Sequence, residues 1–551
     1  MASTHIGHPA HYNSFWTKTN KSYFEQSEKQ GSFNTSELCV IILTDNEITP
    51  EELMKTKINR IIQQIKTQRA NFWEKIRDER ALNLFRLASR RVPAYQDFLR
   101  HHKVKSNKVK TVVDLQSLPM IDKKNYLRKY PLSELTIDGR LDKPLIFTST
   151  SGSTGAPFYF HRSFDLDLRT SVIHELFYLQ GQYKKEEPVL VIVCFGMGVW
   201  IGGLITYQAF HLLQERGYNI SLITPGINKE EIFKSLKDLG ASYKNIILAG
   251  YPPLIKDIID EALSRGIDWR KFRIRLLFAA EVFTEDFREY VSRAVNMRNS
   301  FIDTMNIYGT AELGAIAFET PLTILIRRLC AKNQKLFETI FKRIEKTPTL
   351  GQYIPSFISF DAENNDLLVS GDNTMPLVRY ALGDHGGVYS FREIVEKLTE
   401  SGIDLKKEAE KARIEKFWYE LPFVYVYERA DFSTNFYGLQ VYPEPIREAL
   451  LKKPLSAYLT GKFTLETRFD SKQNQYLLIH LETRKSRNGA MPQTIRQAAL
   501  SAIVEQLELK NSEYRELRKF LGKRALPHLQ FWPAEDPKYF KLGIKQKWVK
   551  K

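Results

Sequence analysis

The stretch Val189–Gln214 contains no Asp, Glu, Lys or Arg, and its reading decides the class of the whole chain. A charge-free run of that length could cross a bilayer, which takes about 20 apolar residues. Gly196, Gly198, Gly202, Gly203, Thr206, Tyr207 and Gln208 interrupt it, however. It divides better into an apolar strand (Val189–Cys194), a glycine-rich loop (Phe195–Gly203) and the start of a helix (Leu204–Leu213). Strand, glycine loop and helix in that order make one unit of a parallel α/β sheet, whose strands are buried on both faces and read as continuous apolar runs. No transmembrane segment is expected.

The same alternation recurs on both sides of that unit. Leu145–Thr148, Ile220–Ile223, Asn245–Leu248 and Ile274–Phe278 are short apolar runs set between helix-like segments, up to about Asp384. This predicts a mostly parallel sheet with helices on both faces. Upstream, Glu51 to about Arg100 carries Ile58, Ile61, Ile62 and Ile65 at helical spacing. Downstream the pattern changes. Glu393–Ile414 is charged and helix-like, Phe423–Tyr427 is strand-like, and the remainder reads as a small α+β domain. At roughly 150 residues per domain, 551 residues exceed a single one. The expected division is an N-terminal extension over 1–75, a large α/β domain over 76–428 and a small α+β domain over 429–551.

Apolar residues at 43% and charged residues at 26% exclude a disordered or fibrous chain. The balance of 81 basic against 64 acidic residues, +17, favours anionic partners: nucleotides, coenzyme A, acidic lipids or nucleic acid. No recognised nucleic-acid-binding motif is present, so nucleic acid is not expected. Cys39, Cys194 and Cys330 are too far apart in sequence for a Cys-x-x-Cys pair. That favours a reducing compartment. Met1–Trp16 lacks the apolar core of a secretory signal, and the expected location is the cytoplasm. Ile324–Lys346 sets Arg327, Arg328, Lys332, Lys335, Lys342, Arg343 and Lys346 against Glu338 and Glu345. Such a stretch is a solvated helix face, or else a peripheral membrane or protein contact.

The strongest local signal is Thr148-Ser149-Thr150-Ser151-Gly152-Ser153-Thr154-Gly155-Ala156-Pro157. It follows an expected strand and gathers hydroxyls and two glycines. Such a loop offers backbone and hydroxyl donors to phosphate oxygens, with glycine allowing close approach. It lacks the lysine after Gly155 that a P-loop requires. By itself it could also be an exposed Ser/Thr/Gly turn. Downstream, in order, come Ala280-Glu281, Tyr308-Gly309-Thr310-Ala311-Glu312 and Arg379-Tyr380-Ala381-Leu382-Gly383-Asp384.

In this ordered set the chain resembles the adenylate-forming superfamily, and within it the phenylacetate–coenzyme A ligase and capsule-biosynthesis-type branch. The likeness runs from about Leu84 to Lys551. Leu84-Phe85, Val92-Pro93-Ala94-Tyr95, Leu118-Pro119 and Asp122-Lys123 look like that branch's opening segment. Phe195–Gly203 looks like its substrate-side glycine loop, Tyr251-Pro252-Pro253-Leu254 like the next crossover, and Tyr442-Pro443 like the start of its C-terminal domain.

The resemblance implies a two-domain ligase with a mobile C-terminal lid. It would convert a carboxylic acid and ATP to acyl-AMP and pyrophosphate, with Mg2+, then pass the acyl group to a thiol such as coenzyme A or to an amine. It implies that Thr150, Ser151, Gly152, Ser153, Thr154 and Gly155 lie over ATP and that Ala280 and Glu281 flank the adenine. Tyr308 and Gly309 would lie near the adenine. Thr310 and Glu312 would be catalytic, Glu312 as the metal carboxylate. Asp384 would accept from the ribose hydroxyls, with Arg379 beside it. Asp431 would be the hinge, and Gly438 would line the thiol tunnel. The catalytic lysine would be Lys545, with Lys541 and Lys547 as alternatives; a basic tail of no particular role is the other reading.

The chain also departs from the family. Ala156 stands where many members have a loop lysine, Phe432 replaces an acidic residue, and Ser433-Thr434-Asn435 replaces an apolar strand. For the acid pocket the resemblance implies Phe195, Gly196, Trp200, Gly202, Tyr251, Phe278–Ala279 and Tyr308, which suit an aryl or apolar acid. The same aromatics could equally be core. His161 and His385 read as surface or loop histidines. A catalytically weakened, nucleotide-binding homologue is the non-enzymatic alternative.

Overall fold

The structure, a computed structural model, describes residues 50–141, 144–149, 158–198, 201–342, 347–427, 433–450, 452–484 and 491–540. It falls into two compact units, Met1–Gln64 and Ile65–Lys551. In the first, the described residues belong to helix Pro50–Thr67.

The second unit is built on sheets. A hairpin pairs β1 (Ile146–Ser149) with β2 (Tyr159–Arg162). One eleven-stranded sheet follows: β3 (Val189–Cys194), β4 (Ile220–Ile223), β5 (Asn245–Gly250), β6 (Arg273–Ala279), β7 (Thr304–Thr310), β8 (Gly314–Phe318), β9 (Thr349–Gln352), β10 (Ile358–Glu363), β11 (Asp366–Asp372), β12 (Pro376–Tyr389) and β13 (Phe423–Tyr427). Their order is β10-β11-β12-β13-β9-β8-β7-β6-β5-β3-β4.

From β4 to β7 every neighbouring pair is parallel, as the alternating sequence predicts. From β7 to β10 every pair is antiparallel, which it did not predict. For β7–β8, β10–β11 and β11–β12 the cause is local: parallel partners need a crossover of a dozen or more residues, whereas antiparallel ones need only a tight turn. After β7 the chain reverses over Ala311–Leu313, with the Leu313 N–H donating to the Thr310 hydroxyl (3.2 Å) and Gly314 at φ +68°. Between β10 and β11, Asn364 and Asn365 both take positive φ, as a two-residue hairpin turn requires.

Beyond β13, the described residues form a hairpin of β14 (Thr434–Phe436) and β15 (Leu439–Val441) and a sheet of β16 (Leu459–Phe469), β17 (Gln475–Thr483) and β18 (His528–Trp532). Helices Gln493–Lys510 and Ser512–Leu521 accompany them, giving the small α+β region expected. The boundary expected at 428–429 falls at residues outside those described. Phe436, Tyr437 and Leu439 share one apolar core with Leu190, Leu248 and Phe278 of the parallel half. A second core joins Phe85, Tyr95 and Tyr126 to Leu313, Val369 and Tyr380 of the antiparallel half.

The described part of Ile324–Lys346 lies mostly in helices Pro321–Lys332 and Gln334–Phe341, whose Ile324, Leu325, Ile326, Leu336 and Ile340 are buried in a third core. Arg327 is itself buried, 2.6 Å from Glu319 and 3.1 Å from Glu285. Part of the basic run serves internal ion pairs, and most of the described apolar residues of the stretch are buried. Among the described residues, no helix is long and apolar enough to cross one.

Candidate active site

The carboxyl ends of parallel strands open onto a crevice where α/β sheets commonly bind ligands. Here β3 ends at Cys194 and leads into Phe195-Gly196, β5 leads into Tyr251, and β6 leads into Ala280-Glu281. The Phe195 and Tyr251 rings meet edge to face at 5.1 Å, and the Gly196 N–H donates to the Tyr251 hydroxyl (3.4 Å). A Cβ added at Gly202 would lie 4.0 Å from the Phe195 side chain. Gly203 is held tighter still: a Cβ there would lie 2.4 Å from the Gly196 carbonyl oxygen. Loop and helix start are thus packed together through absent side chains. Phe278, expected in the pocket, is instead fully buried in a cluster with Phe283 and Phe287. Its neighbour Ala279 is half-buried at the strand end.

Ala280 takes φ +72°, a conformation that L-residues rarely adopt and that concentrates at functional sites. Glu281 follows it, buried at the carboxyl end of β6. There the Glu281 carboxylate accepts from the Gly438 N–H and from Gln475 Nε2 (2.9 Å), while its main-chain carbonyl accepts from Asn306 Nδ2 (3.1 Å). The β14–β15 turn therefore rests on the carboxyl end of β6 in the large sheet. Gly438, at φ +81°, packs so closely that a Cβ would lie 2.2 Å from the Tyr251 ring. Around this contact Tyr437 donates to Asp257 (3.0 Å), Arg524 pairs with Asp257 (2.7 Å) and Lys256 donates to Asn474 (2.9 Å). Burial pushes the Asp257 carboxyl up to about 6, against the lowering effect of Arg524.

At the end of β7, the Tyr308 hydroxyl donates to the Asp384 carboxylate, joining two residues far apart in sequence. Beyond the turn, the buried Glu312 carboxylate accepts from the Tyr380 hydroxyl (3.1 Å) and lies 3.5 Å from Lys123 Nζ. Lys123 begins a turn locked by reciprocal capping between Asp122 and Asn125. The residue pair Ile121–Tyr380 forms a parallel bridge that fixes this segment against β12.

Among the described residues no group of three or more His, Cys, Asp or Glu is placed to enclose a metal ion. Glu312 offers one carboxylate. Magnesium is commonly held by one or two carboxylates with phosphate oxygens and water completing its shell. The donor set therefore fits a magnesium ion delivered with a nucleotide.

The hairpin that flanks the Ser/Thr/Gly loop is clamped in place. Asn373 Nδ2 donates to the His161 carbonyl (2.6 Å), and the Ser163 N–H donates to Asn373 Oδ1 (3.2 Å). The Thr374 hydroxyl donates to the same His161 carbonyl (3.1 Å) and accepts from His161 Nδ1. His161 is no surface residue: it is wholly buried, and desolvation lowers its imidazole to about 4. His385 lies in β12, its ring 2.8 Å from Asp366.

Arg379, expected beside Asp384, faces Asp361 (2.9 Å), Glu363 and the Leu118 carbonyl (3.0 Å), and is buried. Thr150–Gly155, Trp200, Asp431, Lys541, Lys545 and Lys547 lie outside the described residues. Sequence reasoning gave no role to Lys123, Tyr380, Asn373 or Gln475. Lys123 and Tyr380 left a trace, in the Asp122-Lys123 likeness and in the Arg379–Asp384 motif.

No family model matches the chain, and no curated protein does. Among solved structures, a 2-hydroxyisobutyryl-CoA ligase in complex with 2-HIB-AMP and CoA, in the thioesterification state, is similar over 88% of this chain and 91% of its own, at 14% identity and TM-score 0.58. A malonyl-CoA ligase with methylmalonyl-CoA and AMP bound covers 71% and 70%, at 13% identity and TM-score 0.39. The amide bond synthetase McbA from Marinactinospora thermotolerans covers 70% and 65%, at 12% identity and TM-score 0.31. The first of these likenesses covers most of both chains, and by it the chain has the fold of an adenylate-forming acyl-CoA ligase.

Proposed function

We propose that this protein joins a carboxylic acid to ATP, giving an acyl-adenylate and pyrophosphate, and then passes the acyl group to a thiol such as coenzyme A. One observation carries this reading: the ends of the neighbouring strands β6 and β7 bear a small-region turn seated on Glu281, a hydroxyl–carboxylate pair (Tyr308–Asp384) and, in the turn after β7, a buried carboxylate (Glu312).

A carboxylate is a poor acyl donor. Attack of its oxygen on the α-phosphorus expels pyrophosphate and leaves a mixed anhydride; attack of a thiolate on that carbonyl then expels AMP. The protein's part is positioning and electrostatics. In this reading Asp384 takes the ribose hydroxyls, with Tyr308 holding its carboxylate in place. Ala280-Glu281 and Gly309 line the adenine side, and Thr310 fixes the turn that presents Glu312. Bound magnesium would supply charge neutralisation on the phosphates, and Glu312 would hold it. Phe195, Gly196, Gly202, Ala279 and Tyr251 form the acid side, whose apolar wall suits an aryl or apolar acid. We assign Thr150–Gly155 to the phosphates, Trp200 to the acid pocket, Lys545 to the adenylation step and Asp431 to the hinge of a lid over 429–551. Cys194 and Cys330 are free and buried, in keeping with a reducing cytoplasm.

The test is magnesium-dependent pyrophosphate release over a panel of aryl, short-chain and long-chain acids, with hydroxylamine trapping the acyl-adenylate. Release with one acid class is expected. Glu312→Gln is expected to lower it at least about 100-fold, with the melting temperature retained. Near-wild-type release in that variant would remove Glu312 from the mechanism. Consumption of free coenzyme A, against acylation of an added amine, then decides the acceptor.

A further inference from the structure

The second half of the proposed reaction needs a base, and the side chains nearest the acid side cannot serve. A thiol titrates near about 8.5 and is mostly protonated at neutral pH, whereas the thiolate is the nucleophile. Burial and the Glu513 charge hold the Tyr251 hydroxyl above its ordinary value, so it keeps its proton. The Glu281 carboxylate accepts from Gly438 and Gln475, and Asp257 is taken up by Tyr437 and Arg524.

Glu513 is differently placed. It lies in the first turn of helix Ser512–Leu521, whose N-cap Asn511 accepts from the Tyr514 N–H (3.0 Å). Asn511 Nδ2 donates in turn to the Gln440 carbonyl (2.9 Å). Gln440 is two residues past Gly438, whose backbone lies against the Tyr251 ring. The helix start is thus tied to the β14–β15 turn where that turn meets the large sheet, and the Glu513 charge acts on Tyr251 across the boundary.

The acidic groups around it are paired, and it is not. Asp260 meets Lys256 and the Tyr290 hydroxyl (2.7 Å), Glu261 meets Lys229 and Arg524 (3.7 Å), and Glu516, on the same helix, meets Lys519 (2.7 Å). Among the described residues, none gives the half-buried Glu513 carboxylate a hydrogen bond or an ion pair. A glutamate in the first turn of a helix is ordinarily solvated, and the helix dipole favours its anion. Here desolvation wins and raises the carboxyl to about 7. Perturbed carboxyls of this kind cluster at functional sites, and a base works best when it titrates near the operating pH.

We propose that Glu513 is the general base of acyl transfer, taking the proton from the acceptor thiol. This deepens the acyl-transfer reading above and rests on it. The carboxylate removes the S–H proton as the sulfur attacks the acyl carbonyl of the adenylate. A carbon–sulfur bond forms, the bond from the carbonyl carbon to the phosphate oxygen breaks, and AMP leaves with that electron pair. Glu513 then gives its proton to water. Pyrophosphate release involves no thiol and does not draw on Glu513.

The experiment separates the two half-reactions in the full chain. Acyl-adenylate is formed on the enzyme from the acid that releases pyrophosphate, and its single-turnover transfer to free coenzyme A is followed from pH 6 to pH 9. Wild type, Glu513→Gln and Glu513→Asp are compared, with thermal melting as the check on folding. The expected result at pH 7 is transfer at least about 30-fold slower in Glu513→Gln, with pyrophosphate release changed less than about twofold. The deficit should shrink at least about threefold by pH 9, where the thiol ionises unaided. Glu513→Asp should recover part of the rate. Unchanged transfer in Glu513→Gln would overturn the proposal. So would a deficit constant in pH, or an equal loss of pyrophosphate release, either of which marks a residue that only seats the small region. Wild-type protein that forms no acyl-adenylate would overturn the adenylation reading itself, and one that forms it without acylating coenzyme A would overturn the thiol reading, outcomes distinct from these. If Glu513→Gln melts early, Glu513→Asp decides: a deficit that closes toward pH 9 supports the base, and one constant in pH refutes it.

Discussion

At the scale of single residues, Gly438 carries the sharpest constraint. Its φ of +81° and the Tyr251 ring, 2.2 Å from where a Cβ would sit, leave no room for alanine unless something moves. Strain of this kind costs about 1–3 kcal/mol. Gly438→Ala is therefore expected to slow acyl transfer from preformed acyl-adenylate about tenfold or more, and to disturb pyrophosphate release less. Adding Tyr251→Ala should restore part of the loss, because it opens the space. Single-turnover acyl transfer in the two variants checks this, and no rescue by Tyr251→Ala would mean that the clash is not the cause. Gly438 was readable in the sequence because it sits in a resembling segment. Its partner was not, because the reach of Tyr251 across more than a hundred residues leaves no local pattern.

At the scale of elements, the reading succeeded where burial is two-sided. Val189–Cys194, Ile220–Ile223 and Phe423–Tyr427 are strands with the boundaries expected. It missed the run from β10 to β12, where charged residues sit inside strands. Asp361, Glu363, Arg379 and Asp384 break the apolar signal there. Arg379 shows the cost: an arginine four residues before a glycine reads as a ligand contact, and its acidic partners lie on a different strand. In the basic stretch near Ile324, the burial of Arg327 was not legible for a related reason, since periodicity does not say which way an arginine faces. Arg327→Ala would leave Glu319 and Glu285 short of a buried partner, and such losses run to about 3–5 kcal/mol. A clear drop in melting temperature is expected, with no change in binding to anionic vesicles. Loss of vesicle binding at full stability would restore the membrane reading of this stretch.

At the scale of the whole molecule, two buried histidines make stability depend on pH. His174, in helix Phe164–Gln180, donates from Nδ1 to the Thr170 carbonyl (3.0 Å), and burial lowers its imidazole to about 4, as it does for His161. Both stay neutral in the folded chain, whereas the unfolded chain takes up a proton near pH 6.5. Their contribution is thus complete above pH 6.5 and lost as pH falls toward 4, on the order of 2 kcal/mol each at pH 5. Asp167 and Asp257, each raised to about 6 by burial, and Glu513, raised to about 7, work the other way: their contribution is present at low pH and lost as pH rises through those values. The histidine share is isolated by substitution: the change in melting temperature from pH 7 to pH 5 should be more favourable in His174→Gln than in wild type. The same change in both proteins would assign it elsewhere.

The carboxyl end of β6 has a further consequence. Both oxygens of Glu281 hold groups from the β14–β15 turn and from β17. Any ligand that competes for this carboxylate, or shifts Ala280-Glu281, must therefore work against the seating of the small region. Reciprocity then holds whatever the ligand is: the factor by which seating weakens the ligand equals the factor by which the ligand unseats the region. One side chain thereby makes crevice occupancy and small-region posture two readings of a single equilibrium, so that titrating either one measures the other.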